Sequence, residues 1–193
     1  NSDLEKIVDT NDEWIISRTG IKERRILDKG IGTSYMAIRA ANVIIEKKKL
    51  NPLEIDLVIV ATITPDMHAT ATAAYVASEI GASNAFAFDI SAACSGFLYG
   101  MSTASAFIES GRYKKIILIG ADKMSSIVDY SDRNTCIIFG DGAGAVLLEA
   151  DNEGYGVQDE YLRSNGSNRD LLRIEAGGSQ VPTTKQTVEE KKH

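Results

Sequence analysis

The sequence predicts an α/β fold in which a mixed β-sheet carries helices on both faces. Segments with the period of strands alternate with segments that have the period of helices. Residues 57–62 form a continuous apolar run, which is typical of a strand covered on both faces. Residues 86–90 alternate large apolar side chains with small or polar ones, and apolar residues at helical spacing follow from Phe97 to Ile108.

The composition narrows the class of protein. With 193 residues, of which 44% are hydrophobic, the chain is long enough to form one domain with its own core. The excess of 27 Asp and Glu over 21 Lys and Arg gives a net charge of −6, which argues against nonspecific nucleic-acid binding. No apolar run approaches the roughly 20 residues that span a bilayer, so no membrane association is expected. Two cysteines without zinc-ligand or disulfide-framework spacing favour a reducing, cytoplasmic location.

Two short helices are predicted at the beginning of the chain. Residues 2–5 and 10–13 each have the pattern of a capping box, and Gly20 is placed to end the second helix. This second helix contains Trp14, the only tryptophan. It leads into a basic run, which is either a solvated surface or a phosphate-binding patch. The run consists of Arg18, Lys22, Arg24 and Arg25.

The later elements follow in the order that an α/β sheet requires. Helices are predicted over 33–50, 71–80 and 94–111, and strands over 57–62, 86–90, 115–120 and 146–148. A polar loop is predicted over 121–135, a glycine-dense turn over 139–145 and an edge strand over 157–163. Residues 165–193 have little periodicity. We therefore divide the chain into a domain over 1–164 and a connecting loop over 165–193, which would lead to a further part of the protein.

Cys94 lies where the strand over 86–90 meets the helix that follows it. Unpaired N–H groups at the start of a helix favour a thiolate, so Cys94 is a candidate nucleophile. Ligands of such sheets bind beyond the carboxyl ends of the strands, and the loops after Thr62 and Gly120 are expected to open on the same side. The alternative is that Cys94 is only a small buried hydrophobic residue.

Two further features leave alternatives open. His68 follows the strand over 57–62, and a Cys94–His68 dyad would indicate a cysteine hydrolase, whereas the alternative is a surface histidine. The glycine-dense segment over 139–145 matches neither G-x-G-x-x-G nor the P-loop pattern. Close backbone packing is therefore the preferred explanation for its glycines.

Three motifs share one order along the chain. They are residues 9–21 (DTNDEWIISRTGI), residues 91–97 (SAACSGF), and Asp132-Arg133 followed by residues 139–145 (FGDGAGA). In this order and spacing they resemble the opening motif, the active-site cysteine motif and the third signature of the β-ketoacyl-acyl-carrier-protein synthase III family. The resemblance covers most of residues 1–148.

The resemblance implies a thiolase-like fold, in which two similar halves build a five-layered αβαβα core. This chain would be the first half without its opening strand. The implied activity is the condensation that initiates fatty-acid synthesis. Cys94 would take an acyl group from a short acyl-CoA and pass it to the carbanion formed by decarboxylation of malonyl-acyl carrier protein. No dissociable cofactor or metal is implied, and a homodimer is expected for the full protein.

The resemblance also assigns contacts to six other residues. Trp14 and Arg133 match residues that stack on either side of the CoA adenine, for which their flat faces are suited. Thr10 matches an adenine contact and Arg18 a CoA phosphate contact, whereas Met124 and Phe139 match the lining of the acyl pocket. Without the resemblance, these residues would be interpreted as core packing and ordinary surface arginines.

Some of the family's functional groups fall outside the matched motifs. Its catalytic His and Asn, and the glycine N–H that completes the oxyanion hole, belong to the second half, so this chain alone is expected to be inactive in condensation. A module that binds acyl-CoA without catalysis is the alternative. Asn134 stands where glycine is frequent, and residues 68–71 lack the family's usual Phe-Pro pair.

Overall fold

The computed structural model describes all 193 residues, which form six α-helices and four strands. Helices α1–α6 are Asp12–Thr19, Thr33–Lys48, Thr72–Glu79, Gly96–Glu109, Arg133–Cys136 and Lys185–Glu189. Strands β1–β4 are Leu57–Ala61, Phe86–Ile90, Lys115–Lys123 and Asp141–Glu149. No helix combines the length and the hydropathy that crossing a bilayer requires.

The chain divides into two compact units. The terminal unit comprises Asn1–Arg24, Met124–Phe139 and Tyr161–His193. The sheet unit comprises Arg25–Lys123 and Gly140–Glu160. The predicted boundary between residues 164 and 165 stays a prediction.

The sheet unit is built on a mixed sheet with the strand order β2-β1-β3-β4, which confirms the predicted class. Strand β1 pairs in parallel with β2 and β3, and β3 pairs antiparallel with β4. In this register Ala61 lies beside both Ile90 and Gly120. The carboxyl ends of β1, β2 and β3 therefore meet at one edge of the sheet.

Helices cover both faces of this sheet, as the fully buried β1 predicts. On one face, Val58 and Val60 of β1 pack in a cluster with alanines of α2 and α3. On the other face, Leu57 and Ile59 pack with Ala104 of α4. Alternate residues of one strand thus contribute to two separate core layers.

Aspartates from neighbouring segments cap the helices and strands of the sheet unit. The N–H groups of Thr72 and Ala73 at the start of α3 each donate to Asp89, at 2.7 Å. At the opposite edge of the sheet, the N–H groups of Lys114 and Lys115 donate to Asp56 Oδ2. These bonds satisfy N–H groups that the regular elements leave unpaired.

Strand β4 differs from the prediction. It begins at Asp141, so Gly142 and Gly144 of the predicted turn over 139–145 lie inside the strand, and only Gly140 precedes it. Strand β3 continues to Lys123, where a polar loop was expected, because β4 supplies hydrogen-bond partners along its whole length. The edge strand predicted over 157–163 is wrong, since these residues form no strand.

The terminal unit packs α1 and α5 around Leu4, Ile15, Cys136 and Ile137. Helix α1 begins at Asp12, one residue later than the second capping box implies, because Asn11 is the N-cap and accepts the N–H of Trp14 at 2.8 Å. Gly20 ends the helix at φ +72°, as predicted. The first capping box is wrong, since residues 4–6 form a 3₁₀ turn without a side-chain cap.

The neighbouring residues Asn11 and Thr10 provide a matched test of this cap. We expect Asn11→Ala to lower the free energy of unfolding by about 1 kcal/mol, because it leaves the N–H of Trp14 without its acceptor. Thr10→Ala should change it by less than about 0.5 kcal/mol, since Thr10 Oγ1 has no hydrogen-bond partner. Urea unfolding of both variants measures the difference. A larger loss of unfolding free energy in Thr10→Ala would show that Thr10 is the N-cap, as the predicted capping box implies.

The last segment of the chain contains a helix that the sequence did not predict. Helix α6 begins with a true capping box, in which Thr184 and Thr187 exchange hydrogen bonds between side chain and backbone. The N–H of Ala176 donates to the carbonyl of Lys192, so the segment folds back on itself. Its role as a connection to a further part of the protein stays a prediction.

Candidate active site

Cys94 lies on a sharp turn between β2 and α4. The strand ends at Ile90, a 3₁₀ turn spans Ala93–Ser95, and α4 begins at Gly96. Ala93 has a φ of +46°, a conformation that alanine rarely adopts and that stores backbone strain. The Cys94 side chain is exposed. The prediction of a cysteine presented on a strand-to-helix turn is confirmed, and the alternative of a buried hydrophobic residue is wrong.

Two glycines allow α4 to approach the sheet beneath this turn. A Cβ added at Gly96 would lie 3.3 Å from the Cβ of Ala61, and one at Gly100 would lie 2.5 Å from Cδ1 of the fully buried Leu118. Larger residues at these positions would push the helix away from β1 and β3. The glycines therefore fix the height of Cys94 above the carboxyl ends of the strands.

The first turn of α4 has no side-chain cap. The N–H of Ser95 donates to Ala92 and that of Gly96 to Ala93, whereas the N–H of Cys94 has no acceptor. Free amide groups at a helix start favour negative charge. They can stabilise either a thiolate or the oxyanion of a thioester under attack.

Cys94 opens into a cavity of about 370 Å³. The turn and α4 contribute Ala93, Cys94 and Phe97, and segment 140–144 forms a further wall. The ends of β1 and β3 contribute Ala61, Gly120, Ala121 and Asp122. Ala121 and Asp122, which follow Gly120, line the cavity together with Cys94, as expected. No residue after Thr62 lines it, so the expected position of the loop after Thr62 stays a prediction.

Gly142 and Gly144 keep this cavity open. A Cβ added at Gly142 or Gly144 would meet no atom within 4 Å. Close backbone packing, the preferred sequence interpretation, is therefore wrong for these two residues. Gly120 behaves differently, because a Cβ there would lie 3.1 Å from Cδ2 of Phe97.

His68 does not complete a dyad with Cys94. It is exposed in the loop between β1 and α3, and it does not line the cavity. The structure gives its ring no hydrogen bond, so the surface interpretation of this histidine is the better one. No group of three or more His, Cys, Asp or Glu in the chain is arranged to hold a metal ion.

The terminal unit brings three of the predicted CoA-binding residues together. The Arg133 guanidinium lies over the Trp14 ring at 4.2 Å from its centroid, and that of Arg18 lies at 5.9 Å. Asp132 caps α5 by accepting the N–H of Asn134, which orients the helix that carries Arg133. Hydrogen bonds from Thr135 and Asn134 lower the pKa of Asp132, so it remains a charged cap.

The basic run is not one uniform surface. Arg24 is partly buried, where its Nε donates to the carbonyl of Ile137 and its Nη1 to Oδ1 of Asn1, both at 2.6 Å. Burial lowers the pKa of Arg24. This residue therefore holds the terminal unit together, whereas Arg18, Lys22 and Arg25 are exposed.

The remaining predicted site residues all belong to the terminal unit. Oγ1 of Thr10 is buried without a hydrogen-bond partner, as is Nε of Arg133. Met124 begins a 3₁₀ turn, and Phe139 ends the segment after α5. The roles of Met124 and Phe139 in the acyl pocket stay predictions. Asp122 lines the cavity, but the sequence did not single it out, since an acidic residue at a strand end looks like any solvated acid.

The two cysteines provide a test of the site's accessibility. We expect iodoacetamide to alkylate Cys94 in the native chain at least about 100-fold faster than Cys136, which is fully buried and whose pKa is raised by burial. Peptide mapping after timed alkylation measures both rates, and the same reaction in urea provides the control, since there both cysteines should react. Equal native rates would contradict the exposed position of Cys94.

Comparison with known proteins relates this arrangement to a family. The family of 3-oxoacyl-[acyl-carrier-protein (ACP)] synthase III matches residues 88–166. Over its whole length the chain is 55% identical to a β-ketoacyl-[acyl-carrier-protein] synthase III of Phocaeicola vulgatus and 57% identical to one of Chlorobaculum tepidum. It covers 58% and 60% of these relatives, so it spans about three fifths of their length.

Solved structures give the same result. The chain resembles 3-oxoacyl-[acyl-carrier-protein] synthase III from Aquifex aeolicus with a TM-score of 0.76 and 51% identity, over 79% of this chain and 49% of that one. For the synthase III of Pseudomonas aeruginosa the TM-score is 0.86 at 38% identity, over 94% and 57% of the two chains. The thiolase-like α/β class is thereby confirmed, and the chain corresponds to the first of the two halves.

Proposed function

Because the chain belongs to the β-ketoacyl-acyl-carrier-protein synthase III family and corresponds to its amino-terminal half, we propose that Cys94 accepts an acyl group from a short acyl-CoA. This transfer would begin the condensation that initiates fatty-acid synthesis. The observation that carries the proposal is the exposed Cys94 thiol, presented on a strained strand-to-helix turn at the mouth of a cavity.

The transfer is an exchange of one thioester for another. The thiolate of Cys94 attacks the carbonyl carbon of the acyl-CoA, and a carbon–sulfur bond forms while the carbonyl electrons move onto oxygen. The bond to the CoA sulfur then breaks, and CoA leaves as a thiol with the proton that Cys94 gave up. The N–H of Cys94 has no other acceptor and is available to the oxyanion.

The terminal unit supplies the groups that would bind the CoA nucleotide. Trp14 and Arg133 would stack on the two faces of the adenine, and Arg18 would contact a phosphate. An adenine between two flat groups needs about 7 Å, at about 3.5 Å for each stacked contact. Arg133 lies only 4.2 Å from the Trp14 centroid, so its side chain has to swing outward to admit the base.

Two of the buried polar atoms that lack a hydrogen-bond partner in this unit belong to predicted CoA-binding residues. Oγ1 of Thr10 and Nε of Arg133 are buried without hydrogen-bond partners, which is costly unless a ligand satisfies them. An adenine offers ring nitrogens as acceptors and an amino group as a donor, which suits a hydroxyl and a guanidinium. Met124 and Phe139 are proposed to line the acyl pocket of the same synthase.

The second stage of the reaction is proposed for the whole protein. There the acyl group passes from Cys94 to the carbanion that decarboxylation of malonyl-acyl carrier protein produces, and CO₂ leaves. The His and Asn that this step requires belong to the other half of the family's fold, so the 193 residues alone are proposed to stop at the acyl-enzyme. No dissociable cofactor is proposed, and a cytoplasmic homodimer is the proposed form of the whole protein.

Release of CoA from acetyl-CoA tests the proposal and separates it from its alternatives. We expect a burst of one equivalent of free CoA thiol per chain, because the acyl group stays on Cys94. Binding of acetyl-CoA without release would contradict the proposal and favour a module that only binds. Continued release beyond one equivalent would indicate thioester hydrolysis and would support the alternative that the chain is a cysteine hydrolase.

A further inference from the structure

We propose that Asp122 is a positioning residue, whose carboxylate holds in place the strand ends that line the cavity together with Cys94. Asp122 is the only acidic residue among those that line this cavity. Its partners lie far away in sequence, in the loop that follows β1. The structural role of Asp122 does not depend on the proposed function. Only its expected effect on acyl transfer to Cys94 rests on that function.

One carboxylate oxygen of Asp122 accepts three hydrogen bonds from the loop after β1. Oδ1 accepts the hydroxyl of Thr62 at 3.0 Å, the N–H of Ile63 at 2.9 Å and the hydroxyl of Thr64 at 3.0 Å. Thr62 and Thr64 are buried, so these donors have no water to replace the carboxylate. A buried donor that loses its acceptor costs free energy, so the loop after β1 is held firmly to Asp122.

Thr64 extends the network in two directions. Its Oγ1 accepts the N–H of Lys123 at 2.8 Å, which ties the loop to the last residue of β3 a second time. Its carbonyl accepts the hydroxyl of the buried Thr33 at 2.6 Å, which adds the start of α2. The carboxyl ends of β1 and β3 and the start of α2 are thereby fixed relative to one another.

These ends form the wall of the cavity. Ala61 immediately precedes Thr62, and Gly120 and Ala121 immediately precede Asp122, and all three line the cavity with Cys94. Loss of the Asp122 carboxylate should therefore loosen the wall that limits which groups reach the thiol. In the proposed reaction, the acyl chain would meet this wall as it approaches Cys94.

Three variants separate positioning from charge and from general stability. Asp122→Ala removes the acceptor, whereas Asp122→Asn keeps an oxygen at Oδ1 and places its amide where Oδ2 makes no hydrogen bond. Asp56→Ala is the matched control. Asp56 also accepts several hydrogen bonds through one carboxylate oxygen, here from two backbone N–H groups, but it lies at the opposite edge of the sheet and away from the cavity.

The readout is the ratio of two alkylation rates at Cys94, for the small N-methylmaleimide and the bulky N-cyclohexylmaleimide. Because the same thiolate attacks both reagents, the ratio reports the shape of the cavity and cancels changes in ionisation. Peptide mapping assigns the reaction to Cys94. We expect the folded native chain to prefer the small reagent more than free N-acetylcysteine does. Asp122→Ala should reduce this preference at least about threefold, whereas Asp122→Asn and Asp56→Ala should retain it.

Four outcomes would overturn the proposal. They are an Asp122→Ala ratio equal to that of the native chain, an Asp122→Asn ratio as low as that of Asp122→Ala, an equal loss in Asp56→Ala, and a native preference no greater than that of N-acetylcysteine. The assay uses no acyl-CoA, so it decides the role of Asp122 even if CoA release contradicts the proposed function. Should Asp122→Ala fail to fold, Thr64→Val replaces it, since this change keeps the volume of the side chain but removes one donor to Oδ1 together with the acceptor of the Lys123 N–H.

Discussion

Replacing Cys94 by alanine removes the burst of CoA release from acetyl-CoA, with an expected loss of about 10³-fold or more in rate. The reason is that no other exposed nucleophile lies in the cavity, whose other lining residues carry apolar or no side chains apart from Asp122. A carboxylate held by three hydrogen bonds is a poor substitute for a thiolate. Single-turnover release of free thiol, followed over time, measures the loss.

The second cysteine supplies the control for this experiment. Cys136→Ala should retain the burst at one equivalent per folded chain, because Cys136 is fully buried in the core of the terminal unit. The change should lower stability, since it opens a small space beside Ile15 and Ile137. If Cys94→Ala still released one equivalent, or if Cys136→Ala abolished the burst in a folded chain, the nucleophile would have been assigned to the wrong residue.

Trp14→Ala is expected to weaken CoA binding by about 10- to 100-fold, because stacking of a base on an aromatic ring contributes about 1–3 kcal/mol. The variant also removes the ring on which the Arg133 guanidinium lies, so both faces of the proposed adenine site are affected. Isothermal titration calorimetry with CoA measures the loss. Circular dichroism should show a folded chain, since Trp14 is only partly buried against the core of the terminal unit.

Two comparisons make the Trp14 experiment specific. Pantetheine lacks the adenine nucleotide, so the native chain and Trp14→Ala should bind it equally weakly. Trp14→Phe keeps a flat face and should recover part of the affinity for CoA. Equal binding of CoA by the native chain and by Trp14→Ala would show that the adenine does not stack there.

Predictions from sequence are most accurate where the residues of a segment determine its structure by themselves. The apolar run of β1 is a strand because every one of its side chains is buried, and Cys94 lies at a helix start because small residues separate a strand period from a helix period. Gly20 ends α1 because only the left-handed conformation closes it, which glycine adopts without strain. In these places local propensity and tertiary packing agree.

Predictions from sequence fail where a partner that is distant in sequence determines the local structure. Strand β4 contains glycines without a strand pattern, and it is extended because β3 offers it nine paired positions. Thr10 and Asn11 are both suitable N-caps in sequence, but in the folded chain the N–H of Trp14 donates to Asn11. Asp122 is unremarkable in sequence, because its three donors lie 58–60 residues earlier. Such residues become visible only when the fold brings their partners together.

A peptide-resolved mass spectrum of the chain after incubation with acetyl-CoA gives the most direct test of the thiol's role. The result we expect is an acetyl group on the peptide that contains Cys94, lost after mild hydroxylamine treatment as a thioester is, and absent from the peptide that contains Cys136. An unmodified Cys94 peptide from a folded chain that binds CoA would contradict acyl transfer to this cysteine.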